Sequence, residues 1–183
     1  MPSSPLKVPE IVTFEQALAL TQSLLSQVEA GEISEAEMPA AIAELVKTEN
    51  GARGFFVTYL TSDSSIPDNP STLVVQALQS NPDGVAELLV KNIAMSAAQT
   101  VLHRRNHKEE MAQASERVRR RTARLIELVN LATVYERSQK LLESATTGEG
   151  SYKAFLERWG YDAEQRQVIC QALQQITPKD KLR

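Results

Sequence analysis

A single cysteine, Cys170, in a chain of 183 residues excludes an intramolecular disulfide. That suits a protein folding under reducing conditions. Set between Ile169 and Leu173, Cys170 reads as a small apolar residue on the buried side of a helix. Only two histidines are present, and seven glycines with eight prolines are too few for a turn-rich β architecture. No apolar run approaches the ~18–20 residues of a membrane span. Residues 1–12 lack the apolar centre of a secretory signal. The expected location is the cytoplasm. A chain of this length can bury roughly 70% of its unfolded surface, so it needs no metal, disulfide or cofactor to fold.

What the chain does have is a series of helix starts and stops. Thr13 and Gln16 have capping-box spacing ahead of an apolar-periodic run through Leu18, Leu25 and Val28, and Gly31 supplies the stop. Ser34 and Glu37 repeat the box before a helix that begins near Pro39 or kinks there, and that stops at Asn50-Gly51. Residues 54–61 (GFFVTYLT) favour a strand by composition. No second strand exists to satisfy its backbone, so the segment is predicted as a short helix. Asn69-Pro70 and Asn81-Pro82 each read as an N-cap followed by proline at the first helical position. The second opens a long apolar helix through Leu102, which breaks near Asn106.

No Gly or Pro interrupts Glu109 to Thr146, so that stretch is predicted as one long helix. Met111, Val118, Leu125 and Ala132 recur every seven residues along it as a coiled-coil-like seam. The seam packs either within the monomer or against a second copy in a homodimer. Gly148 and Gly150 mark a hinge, Gly160 ends a short helix, and Asp162 with Gln165 caps a last one. The predicted fold is therefore all-α: a bundle of about seven or eight helices, with one long helix in the C-terminal half and short flanking helices. Residues 1–12 form a flexible lead-in, 13–177 one helical domain, and 178–183 a basic tail.

Charge is unevenly distributed. Residues 1–50 hold two cations against eight acids, whereas residues 101–125 hold eight cations against three acids. Arg117, Arg120, Arg121 and Arg124 stand at helical spacings of three and four and can share one face. Either that face is matched by the acidic N-terminal helices, or it docks a partner, since arginine forks bind carboxylates and phosphates bidentately. A protein is the expected partner. Nucleic acid is the weaker choice, because the net charge is −3 and no aromatics interleave with the arginines. A membrane is weaker still, because bulky apolar residues opposite the arginines are few.

Catalytic motifs are absent: no nucleophile elbow or phosphate loop occurs. His103 and His107 stand four apart, the spacing of a two-histidine metal site on a continuous helix. The adjacent Arg104, Arg105 and Lys108 oppose a divalent cation, so no metal is expected there. Tyr152, Phe155 and Trp159 fall on one helical face, as core or as interface anchors.

Two stretches, Glu49 to Asp63 (ENGARGFFVTYLTSD) and Gly150 to Arg166 (GSYKAFLERWGYDAEQR), resemble parts of small uncharacterised helical proteins of cyanobacteria. The resemblance implies an accessory protein of a photosynthetic cell, and it brings no activity or functional residue with it. The expected function is non-enzymatic: an interaction or regulatory protein that binds another macromolecule, with the arginine face as docking patch. The alternatives are an anionic-ligand or nucleic-acid binder using the same face, and an enzyme with an unrecognised pocket.

Overall fold

The computed structural model describes residues 6–177, which leaves the basic tail and the first five residues of the lead-in outside the described residues. Among the described residues there are nine α-helices and no strands. The helices are α1 (Phe14–Glu29), α2 (Met38–Leu45), α3 (Glu49–Thr61), α4 (Thr72–Gln79), α5 (Pro82–Arg105), α6 (Glu109–Val129), α7 (Ala132–Thr147), α8 (Lys153–Trp159) and α9 (Ala163–Ile176). They form two compact units, Met1–Leu88 and Leu89–Arg183.

In the first unit α1 starts where its capping box predicts. Thr13 Oγ1 accepts from the Gln16 N–H at 3.1 Å, and the Gln16 side chain accepts from the Thr13 N–H at 2.9 Å. The chain leaves α1 through Gly31, whose φ of +72° a side chain would resist. Ser34 caps a 3₁₀ turn over Glu35–Glu37, and α2 follows with Pro39 at its start. The residues 54–61 are helical, as predicted. The expected stop at Asn50-Gly51 is instead the first turn of α3, because Thr48 caps it by accepting from the Gly51 N–H at 3.1 Å. Phe55, Phe56 and Tyr59 are fully enclosed, with Phe55 stacked on Tyr59 and meeting Phe56 edge-on. Val12, inside the predicted lead-in, is buried.

The Asn69-Pro70 start is also displaced. Ser71, not Asn69, caps α4 by accepting from the Val74 N–H. Asn81 behaves as expected at the head of α5: its Oδ1 accepts from the Gly84 N–H at 3.3 Å. Its Nδ2 donates to the Val46 carbonyl at 2.7 Å, tying the end of α2 to this junction. By length and composition α5 is apolar enough to cross a bilayer, and 56% of its most apolar window is buried. Asp83, Glu87 and Lys91 interrupt the run, which is why it does not read as a span from sequence.

In the second unit the stretch predicted as one helix from Glu109 to Thr146 is two. The 21-residue α6 ends at Asn130, whose backbone is left-handed with φ 45° and ψ 49°. Asparagine enters that region more readily than any residue but glycine, and here it stops the helix without Gly or Pro. The heptad seam breaks with it. Met111 is 48% exposed, Val118 half-buried, Leu125 enclosed and Ala132 exposed, so the four positions do not make one stripe. Past the break, α7 packs on α9. Gly148 and Gly160, both at positive φ, end α7 and α8, and the Asp162–Gln165 capping box opens α9 as predicted.

Candidate functional site

The arginines of α6 provide the best-defined candidate surface. Glu109 and Glu110 occupy the first turn of α6, where acidic side chains complement the helix dipole. Ala112, Thr122, Leu125, Ile126 and Val129 bury one side of the helix. Thr122 satisfies its hydroxyl by donating to the Val118 carbonyl at 2.7 Å.

The four arginines predicted to share a docking face do not remain together. Arg120 and Arg124 are exposed, Arg117 is half-buried, and Arg121 is turned inward with 4% exposure. The spacing fixes the angle between side chains but not where the buried stripe lies. Arg121 stands beside Thr122 and Leu125 on the stripe's margin. Two neighbours already have acidic partners: Arg119 pairs with Glu116, and Arg124 Nη1 lies 3.1 Å from Glu127. Arg120 forms no ion pair among the described residues. Glu116 sits among cations and titrates below its ordinary value, chiefly through its hydrogen bond from Arg119, with Arg104 and Arg120 adding to the field.

Sequence reasoning missed the groove beside these arginines. A hollow of about 420 Å³ opens along α6, the start of α7 and the end of α9. Arg119, Arg120 and Arg124 line it, together with Ile126, Tyr135 and Ile176. Ile126 and Tyr135 are buried and make the floor, while the more exposed guanidiniums make the rim. A smaller hollow of about 170 Å³ continues along the same α6–α9 seam, sharing Arg119 and Gln175 and reaching Arg104 and Glu116. Two features create the floor. The left-handed Asn130 turns the chain so that Tyr135 comes back to α6, its hydroxyl 3.5 Å from Asn130 Oδ1. Thr177 ends α9 against the same hollow, its hydroxyl donating to the Leu173 carbonyl at 3.0 Å. The only hint of this in sequence is the left-handed preference of Asn130.

The remaining candidates separate as well. His103 lies in the last turn of α5, and His107 lies past the helix end in a turn with φ 55°, so they do not share the continuous helix a two-histidine site needs. Among the described residues no three His, Cys, Asp or Glu side chains group as metal ligands. Of the aromatics, Tyr152 is buried, Phe155 half-buried and Trp159 48% exposed. Phe155 meets Tyr152 and Tyr161 edge-on, with the Lys91 ammonium 5.5 Å above its ring. The face therefore divides into packed residues and one exposed tryptophan. Burial pushes the Tyr161 hydroxyl up to about 12. Cys170 is half-buried rather than enclosed, its Sγ 3.7 Å from Thr146 Oγ1.

Elsewhere in this unit Arg105 forks onto two carboxylates. Its Nη1 lies 2.5 Å from Asp162 Oδ2 and its Nη2 2.7 Å from Glu164 Oε2. That joins the end of α5 to the start of α9. The hydrogen bond from Arg105, reinforced by the Gln165 N–H, holds the Asp162 carboxyl down at about 2. In the first unit a hollow of about 750 Å³ lies between α1 and α3, and its charged lining is Glu29 and Asp63.

A family model described as Uncharacterised conserved protein UCP020893 matches residues 13–176. No curated protein and no solved structure matches the chain.

Proposed function

The chain belongs to that family of conserved proteins, and we propose that it is a non-enzymatic interaction protein whose α6–α9 groove takes an acidic segment of another protein. One observation carries this: three arginines, one of them without an ionic partner among the described residues, stand over a floor of Ile126, Tyr135 and Ile176. Guanidinium forks suit carboxylates, and an apolar floor gives side chains between those carboxylates a place to be buried. A nucleic acid fits less well. Glu116 and Glu127 offset the rim's charge, and Tyr135, the one aromatic in the groove's lining, is itself buried in the floor. The cytoplasm as the place of action, and the cyanobacterial kinship suggested by Glu49 to Asp63 and Gly150 to Arg166, belong to the same proposal.

The test is fluorescence anisotropy on the full chain with two labelled probes, a synthetic peptide alternating Glu and Leu and a single-stranded oligothymidine. Peptide binding is expected to weaken with salt and to fall at least tenfold in the double variant Arg120→Glu/Arg124→Glu. Equal peptide binding by wild type and variant overturns the proposal. Binding of the oligothymidine alone transfers the groove to nucleic acid.

A further inference from the structure

The two units differ sharply in charge. The unit Met1–Leu88 carries three cations against twelve acids, a net −9, and Leu89–Arg183 carries seventeen cations against eleven acids, a net +6. Within the acidic unit the charge is most concentrated between α1 and α2. Residues 29–37 (EAGEISEAE) hold Glu29, Glu32, Glu35 and Glu37 with no cation, and every residue there is exposed except the half-buried Ile33. Glu29 and Glu35 form no ion pair among the described residues. Local turns shape the segment: Gly31 turns the chain at positive φ, and Ser34 donates its N–H to Glu37 at 2.7 Å.

This segment has the composition the groove asks for, carboxylates flanking one branched apolar side chain. We infer that the partner of the arginine groove is a second copy of this chain, which docks its acidic α1–α2 segment against the Arg119, Arg120 and Arg124 rim. The inference rests on the groove function proposed above and names its occupant. Charge complementarity carries it: arginines over an apolar floor on one unit, and glutamates around Ile33 on the other. The contact joins two different patches. Copies paired about a two-fold axis close a dimer with two such contacts, and copies not so paired add head to tail. It is distinct from a pairing through the heptad positions of α6, where Met111 is exposed, Val118 half-buried and Leu125 enclosed. Because both surfaces are solvent-exposed and oppositely charged, association falls as salt rises.

Light scattering coupled to size exclusion, and sedimentation equilibrium from micromolar to several hundred micromolar, test this on the full chain. At low salt the mass is expected to rise above the 20.2 kDa monomer with concentration, and to return to it at high salt. Two variants, Arg120→Glu/Arg124→Glu in the groove and Glu29→Lys/Glu35→Lys in the segment, are each expected to lose association at least tenfold. Mixed one to one, they present one native contact and one with its charges exchanged, and association is expected to return. A wild type that stays monomeric throughout, or variants whose mixture does not recover, overturns the self-docking. A labelled peptide of residues 29–37 separates that failure from failure of the groove itself. If the peptide binds wild type but not the groove variant while the chain stays monomeric, the groove stands and only the second copy is lost. If neither peptide nor chain binds, both fall.

Discussion

Replacing Gly54 by alanine tests the close approach of α1 and α3 in the first unit. A methyl on Gly54 would stand 2.4 Å from the Cβ of Ala17, 2.9 Å from the Phe14 carbonyl oxygen and 3.1 Å from the Leu18 nitrogen, where ordinary contact begins at 3.4 Å. The helices α1 and α3 must therefore separate by about 1 Å, since two of the three obstacles are backbone that no rotamer change can move. Alanine favours the helix over glycine by about 1 kcal/mol. Overpacking costs ~1–3 kcal/mol, and a clash against backbone lies at the upper end. The steric cost wins, and the expected result is a net loss of about 1–2 kcal/mol. Urea unfolding followed by circular dichroism reads it as a lower midpoint with an unchanged slope. Hydrogen exchange should localise the loss to α1 and α3. A variant as stable as wild type, or more stable by the helix-propensity gain, refutes the close approach.

Two further outcomes follow from single residues. Asn130→Ala is expected to cost about 1 kcal/mol because alanine keeps the Cβ that crowds a left-handed backbone but loses the short polar group that lets asparagine tolerate it, while Asn130→Gly, which removes that Cβ, is expected to be neutral or slightly stabilising. Equal losses in urea unfolding would mean the Asn side chain, not its backbone, makes the turn. For Asp162 the folded value near 2 lies below the ordinary carboxyl value of 3.8, so its stabilising effect is fully present above about pH 4 and disappears as pH falls through about 2. Carboxyl NMR should find that depressed midpoint, and Arg105→Gln should move it back up; a wild-type midpoint near 4 refutes the fork.

Signals confined to a few neighbouring residues were legible in the sequence. The Thr13 and Asp162 capping boxes, the Asn81-Pro82 start and the glycine stops at Gly31, Gly148 and Gly160 all occur where spacing predicts, because each depends on one turn of backbone. Errors came where two signals compete. Asn50-Gly51 looks like a stop, but Thr48 caps the turn that contains it, and the missing side chain of Gly51 leaves room for the Leu45 carbonyl, which an added Cβ would meet at 2.0 Å. Asn130 looks like an ordinary helix residue until its backbone turns over. The site was half legible. Helical spacing placed the arginines on adjacent angles, but which angle faces the core depends on α6 packing, and that turned Arg121 inward. The groove itself joins residues from three helices, up to 58 positions apart between Arg119 and Thr177, and no local pattern records that.

Trp159 has a practical consequence. It is the sole indole of the chain and nearly half open to solvent. Its emission should therefore be red-shifted and readily quenched by iodide in the isolated protein. Anything that settles over the end of α8 would shift that emission to shorter wavelength and shield it from quencher, giving the molecule a built-in optical gauge that needs no label.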